Sequence, residues 1–466
     1  MASTPLHYQS LTEVAGRIHA GEISSSEVTR AIIDRIEAVD VKLHAYATVM
    51  ASAALAQAKA ADAEIGAGRI RSPLHGVPIA VKDLCYTKGT RTRAGMPIHD
   101  DFVPTFDATV VTRFNAAGAV ILGKLELTES AFAFHHPDIT PPNNPWRSGY
   151  WTGVSSSGSG AATAAGLCYA SLGSDTGGSI RFPSLGCGVT GLKPTWGRVS
   201  TYGVFPLSNS LDHIGPMTRT AADAAAVLGI IAGADDNDPT TILDAVPDYL
   251  TALDQAPTAL RVGYDEAYCT EGVHPVVAKS VKDAVAALAG VGCEIVSIAM
   301  PEHDELINLW GPFCAAECAL HHERTYPART DEYGPSLKGL IDAGIAATGI
   351  DLARGNVARS VFKGQLARMF QNVDMIAAPS LFIPTPLNSA IEELAAGEGG
   401  LYKLVRFTAP YDFSGSPTIS LPCGFSADGL PLGFQLIGPH LGEGLLLRAG
   451  HAYQQATDWS TQHPEI

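Results

Sequence analysis

The chain has 466 residues, and 31 Lys plus Arg against 47 Asp plus Glu give a formal charge of −16. That balance argues against a nucleic-acid surface, which needs clustered basic residues to displace condensed counterions. With 46% apolar and 17% charged residues, the composition excludes a disordered chain and describes a loop-rich globular one with ample core.

The opening stretch MASTPLHYQSLTEVAGRIHAGE has no basic run followed by an apolar one, so no secretory signal is expected. No window reaches the roughly 18 apolar residues of a membrane span; AADAAAVLGIIAGA at 221–234 is short and contains Asp223. The eight cysteines are scattered and read as small buried hydrophobes in a reducing, cytoplasmic setting.

Along the chain, Ser10-Leu-Thr-Glu13 and Ser24-Ser-Ser-Glu27 have the form of capping boxes, each preceding apolar residues at helical spacing. Residues 1–70 are therefore expected as packing helices. From residue 74, short β-branched runs appear between Gly and Pro: 76–81, 119–125 and 169–175, with helical patterns at 107–117 and 159–167 between them. Such alternation predicts an α/β fold, a largely parallel mixed sheet covered by helices on both faces. The pattern resumes with strands at 261–265, 293–300, 375–380, 416–424 and 430–438, and with helices near 275–289 and 443–455. No linker separates autonomous units, so 1–466 reads as one domain, with 301–400 as a variable substrate-region or lid segment.

The chemistry concentrates between Trp151 and Ser184. Gly177-Gly178-Ser179 follows a strand-like segment, and paired glycines let the backbone turn sharply and present consecutive N–H groups, an arrangement suited to a developing oxyanion. Ser179 is the candidate nucleophile, although Gly/Ser runs are also ordinary turns and helix caps. A hydroxyl needs a base. The elbow G-x-S-x-G of Ser-His-Asp hydrolases is absent, and His135, His136, His213, His440 and His451 lie in no motif that would position them. The other base is a lysine made neutral by burial. Lys82, directly after the apolar run 77–81, suits that role, while a solvated strand end paired with Asp83 is the plainer reading.

Three motifs together decide the matter: HGVPIAVKD at 75–83, GVSSSGSGAA at 153–162 and GSDTGGSIRFPS at 173–184. With CGVTGLKPTWGRVS at 187–200, LDHIGPMTRT at 211–220 and the closing segments, the chain resembles the amidase signature family over nearly its whole length, most weakly at 235–400. The resemblance implies a Ser-Ser-Lys triad of Lys82, bridging Ser155 and nucleophilic Ser179, with an oxyanion hole of the Thr176, Gly177, Gly178 and Ser179 amides. Asp175 and Arg181 are expected to brace that loop, and Val154 stands where many members have glycine.

The implied reaction is hydrolysis of the C–N bond of an amide, aryl amide or carbamate (urethane) through a serine acyl-enzyme. The alternative is the glutaminase subunit of a tRNA-dependent amidotransferase. A small-molecule substrate is expected, with no cofactor, no metal, no nucleic acid and no membrane partner; an oligomer is left open. Cys314, Cys318, His321 and His322, followed by Glu323, have helical spacing that would suit zinc, but four ligands from one helix rarely converge on a tetrahedral site. Trp310 and Phe313, with Trp146, Tyr150 and Trp151, are the candidate substrate contacts. Gly158-Ser-Gly160 lacks the third glycine of a dinucleotide fingerprint and reads as a helix start.

Overall fold

The computed structural model describes residues 4–466. Both capping boxes form: Ser10 and Glu13 exchange hydrogen bonds ahead of the helix Leu11–His19, as do Ser24 and Glu27 ahead of Ser25–Leu43. These helices bury Leu11, Val14, Ile18, Val28, Ile32 and Ile36 against the main core, a single apolar cluster that runs through the chain as far as Tyr453.

At the centre lies an 11-stranded sheet. Its strands are β1 (Tyr46–Val49), β2 (Pro78–Lys82), β3 (Val120–Leu125), β4 (Ala170–Asp175), β5 (Thr190–Lys193) and β6 (His213–Thr218). The second half adds β7 (Arg261–Tyr264), β8 (Glu294–Ser297), β9 (Met375–Pro379), β10 (Thr418–Phe425) and β11 (Pro431–Ile437). Their spatial order is β1-β3-β2-β4-β6-β5-β10-β11-β9-β7-β8.

The sheet is mixed and helix-flanked as expected, but its parallel share is smaller than the alternation implied. Parallel pairing joins β2 to β3 and β4, and β7 to β8 and β9. The middle, from β4 through β6, β5, β10 and β11 to β9, is antiparallel. The difference arises from β5 and β6, whose sequences TGLK and HIGPMT lack a β-branched run and carry no strand signal of their own. Full burial on both faces explains the apolar run Pro78–Val81 of β2, whereas β4, equally buried, carries Ser171, Ser174 and Asp175, each hydrogen-bonded. Because β2 and β4 are neighbours, with Ala80 opposite Ser171, the end of one brings Lys82 beside the residues that lead out of the other.

Candidate active site

Lys82 is the last residue of β2 and is wholly buried. Its Nζ lies 2.7 Å from Ser155 Oγ, 2.8 Å from Ser156 Oγ and 2.8 Å from Ser174 Oγ. Burial lowers the pKa of this amine to about 7, against the opposing pull of Cys85, Asp175 and Asp212. Asp83, the partner suggested for a solvated strand end, points elsewhere: its Oδ1 is 3.0 Å from Lys124 Nζ.

Ser155 and Ser156 precede the helix Ser157–Ala164, which packs so closely that a Cβ on Gly158 would sit 2.4 Å from Ala45 O. Gly158 and Gly160 thus serve close packing at a helix start. Ser156 N–H donates to Ser179 O (3.3 Å), tying the serine run to the turn that follows β4. Sequence reasoning missed Ser156 and Ser174 as lysine contacts. The period-2 alternation of β4 is the signal that would have found Ser174, which faces opposite to Asp175.

The turn 175–179 is held by a buried charge cluster. Asp175 accepts from Gly178 N (2.6 Å), Ile180 N (2.9 Å) and Arg181 Nη2 (2.8 Å). Arg181 Nη2 also reaches Asp412 Oδ2 at 2.6 Å, and all three side chains are fully buried. Burial alone would raise the Asp175 pKa, but Arg181 holds it well below the ordinary carboxylate range.

This geometry corrects one expectation. Gly178 N–H is engaged by its own loop's carboxylate, so it is not a free donor. The N–H groups of Thr176, Gly177 and Ser179 have no acceptor among the described residues. Ser179 itself is half-buried and lines a narrow cleft. Trp151, Val154, Phe182, Leu207 and Trp310 form its walls. Leu401, Leu404 and Val405 add a further apolar side from a short helix, a contribution for which the sequence carried no motif. No lining residue bears an ionisable side chain.

Three aromatic expectations are corrected as well. Trp146 donates Nε1 to Cys187 O (2.8 Å) and packs on Phe425, Tyr150 stacks under Arg147, and Phe313 packs on Phe413. None of these three lines the cleft, because each is taken up by packing that the sequence spacing does not reveal.

The histidines lie apart from the cleft. His135 Nε2 is 3.0 Å from Ser157 Oγ, His213 Nδ1 is 3.2 Å from Asp175 O and His440 Nε2 is 2.7 Å from Ser414 O. His136 Nδ1 accepts from Asp138 N, and His451 sits on the helix Glu443–Gln455. On the helix Asp304–His322, Cys314 and Cys318 are buried in the core and His322 bridges Ser130 and Tyr333 at 3.0 and 3.1 Å. Among the described residues no three potential ligands converge on a metal position, and no helix is long and apolar enough to cross a membrane.

Comparisons with known proteins find relatives along nearly the whole chain. Residues 27–447 match the family described as Amidase. The chain is 47% identical over 457 residues to "Putative amidase AmiD" of Mycobacterium tuberculosis, covering 98% of this chain and 96% of that one. It is 39% identical to a glutamyl-tRNA(Gln) amidotransferase subunit of Geobacter metallireducens, with 97% and 98% covered. Among solved structures, the peptide amidase of Stenotrophomonas maltophilia superposes with a TM-score of 0.82 at 30% identity, covering 97% and 98%.

Proposed function

This chain belongs to the amidase family and is an amidohydrolase of carbon–nitrogen bonds, and we propose that it acts through an acyl-enzyme on Ser179, with Lys82 as base and Ser155 as proton bridge. The observation that carries the reading is a buried lysine, its pKa near 7, in hydrogen-bond contact with Ser155. Neutral Lys82 takes the proton of Ser155, Ser155 takes that of Ser179, and Ser179 attacks the carbonyl carbon. The resulting oxyanion is received by the Thr176, Gly177 and Ser179 N–H groups. The proton returns through Ser155 to the leaving nitrogen, which departs as a neutral amine, and water releases the acyl group by the reverse relay. A bridging hydroxyl suits this chemistry because an amine leaves poorly as an anion.

Cleft chemistry supports an uncharged amide, aryl amide or carbamate flanked by apolar groups. Burying an ionised group against walls without a counter-charge is costly. Free glutamine would bring both an α-ammonium and an α-carboxylate. Similarity to glutamyl-tRNA(Gln) amidotransferase subunits favours a second reading, a glutaminase that works within a complex.

A fluorophosphonate should label Ser179 and no other serine, and Ser179→Ala should abolish both labelling and turnover while the fold is kept. Relative kcat/KM of the isolated chain across anilides, urethanes and glutamine separates the two readings. Turnover of glutamine alone, and only with a partner protein, would replace the first by the second.

A further inference from the structure

Behind the turn that carries Ser179, four successive carbonyl oxygens each receive a hydrogen bond. Asp175 O is 3.2 Å from His213 Nδ1, which must carry the proton because a carbonyl only accepts. Thr176 O accepts from Trp310 Nε1 (2.9 Å), Gly177 O from Thr408 Oγ1 (2.6 Å) and Gly178 O from Phe182 N (2.7 Å). The last bond opens the helix Arg181–Cys187; the other three come from β6, from the helix Asp304–His322 and from the residue before the helix Ala409–Ser414.

In a trans peptide the C=O and the following N–H point in opposite directions, so a donor that fixes the oxygen also aims the hydrogen. Trp310 thereby orients Gly177 N–H, which has no acceptor among the described residues. The Gly177–Gly178 peptide is held at both ends, by Thr408 at its oxygen and by Asp175 at its N–H. Two glycines offer little intrinsic resistance to rotation of these peptides, and Gly178 adopts φ +131°, a region few other residues enter. A rotated 176–177 peptide would turn its oxygen toward the space where negative charge develops and replace attraction by repulsion. Trp310 is well placed to prevent this. Its indole is buried against Gly177, where a Cβ would come within 2.4 Å of Cζ2, and the same ring walls the cleft.

We propose that Trp310 and Thr408 are positioning residues whose side-chain donors hold the Thr176–Gly177 and Gly177–Gly178 peptides so that Gly177 N–H stays directed at the oxyanion. The proposal rests on the reading of Ser179 as nucleophile. It ties the segment that shapes the substrate cleft to the part of the site that stabilises the transition state.

The test uses Trp310→Phe, which keeps an aromatic wall and removes the N–H, together with Thr408→Val and Thr408→Ser. Trp310→Phe and Thr408→Val should lower kcat on an anilide about 10- to 100-fold, somewhat less than outright loss of an oxyanion donor, with KM changed less than about threefold. Binding of a trifluoromethyl ketone, which forms a tetrahedral oxyanion on the serine, should weaken by the same factor. Thr408→Ser keeps the hydroxyl and should restore both quantities. Wild-type kcat and ketone affinity in Trp310→Phe and Thr408→Val, or a loss expressed wholly in KM, would overturn the positioning role. Should Trp310→Phe not fold, the contrast between Thr408→Val and Thr408→Ser decides alone. Failure of wild-type protein to take a fluorophosphonate at Ser179 would instead remove the nucleophile assignment, an outcome distinct from the others.

Discussion

Ser174 Oγ, at the end of β4, receives a 2.8 Å hydrogen bond from Lys82 Nζ at the end of β2. Ser156 Oγ receives another of 2.8 Å and itself donates to Ser174 O at 3.2 Å. A neutral amine has two N–H bonds and one lone pair. With both N–H bonds given to Ser156 and Ser174, the lone pair is left facing Ser155, 2.7 Å away. Ser174→Ala or Ser156→Ala should each lower kcat about 3- to 10-fold by freeing the amine to rotate, as loss of one such hydrogen bond would. Steady-state kinetics at pH 8 provides the check.

Lys82→Ala removes the base and should cost about 10²- to 10⁴-fold in kcat, the usual worth of a positioned proton acceptor. Retention of near-normal turnover around pH 8 would show that another group accepts the proton.

The pH profile follows from the same amine. Below its pKa of about 7, Nζ is protonated and has no lone pair. The kcat/KM of the free enzyme should therefore fall about tenfold per pH unit as pH drops below that value, and level off above it. Stability shifts in the same direction. Between pH 7 and the unfolded value of 10.5 the unfolded chain binds the extra proton, so this group's contribution to stability rises with pH across that window. Denaturant titrations at several pH values, compared with Lys82→Met, isolate the contribution.

Arg181→Met should destabilise the fold by about 3–5 kcal/mol, because it leaves two buried carboxylates, Asp175 and Asp412, without their shared cation. Urea denaturation measures the loss. Arg181→Lys should restore only part of it, since an ammonium cannot reproduce the fork that meets both acids at once.

Val154 projects into the cleft beside Ser155. Val154→Gly should enlarge that space and raise kcat/KM for bulkier acyl groups relative to acetyl by about tenfold, the scale of one or two methylenes in an apolar pocket. A series of acyl anilides of increasing size would reveal it.

Much of this was legible in the sequence. Burial on both faces makes β2 and β3 apolar runs apart from one lysine each, and Lys82, Ser155 and Ser179 lie in motifs whose local pattern survives without any tertiary information. By contrast, β5 and β6 are interrupted by Gly or Pro and have no β-branched run, and they become strands through pairing with β10 and β4 across long loops. Trp310 and Phe313 sit three residues apart on one helix, yet one faces the cleft and the other faces Phe413; only the packing of neighbouring helices separates them. Engagement of Gly178 N–H by Asp175 was likewise hidden, because it depends on the turn closing back on its own first residue.

The adjacency of β2 and β4 sets a ruler for the chemistry. Neighbouring strands stand about 4.8 Å apart whatever loops connect them, so the gap between the amine and the serine-bearing turn is fixed by the lattice of the sheet. Insertions or deletions in segments that supply neither these strands nor Ser155 and Ser156, such as the short helix Gly400–Val405 that walls the cleft, should leave proton transfer intact. Diversification of substrate range is thereby released from the constraint that governs the reaction itself, provided any exchanged wall still carries an indole where Trp310 stands.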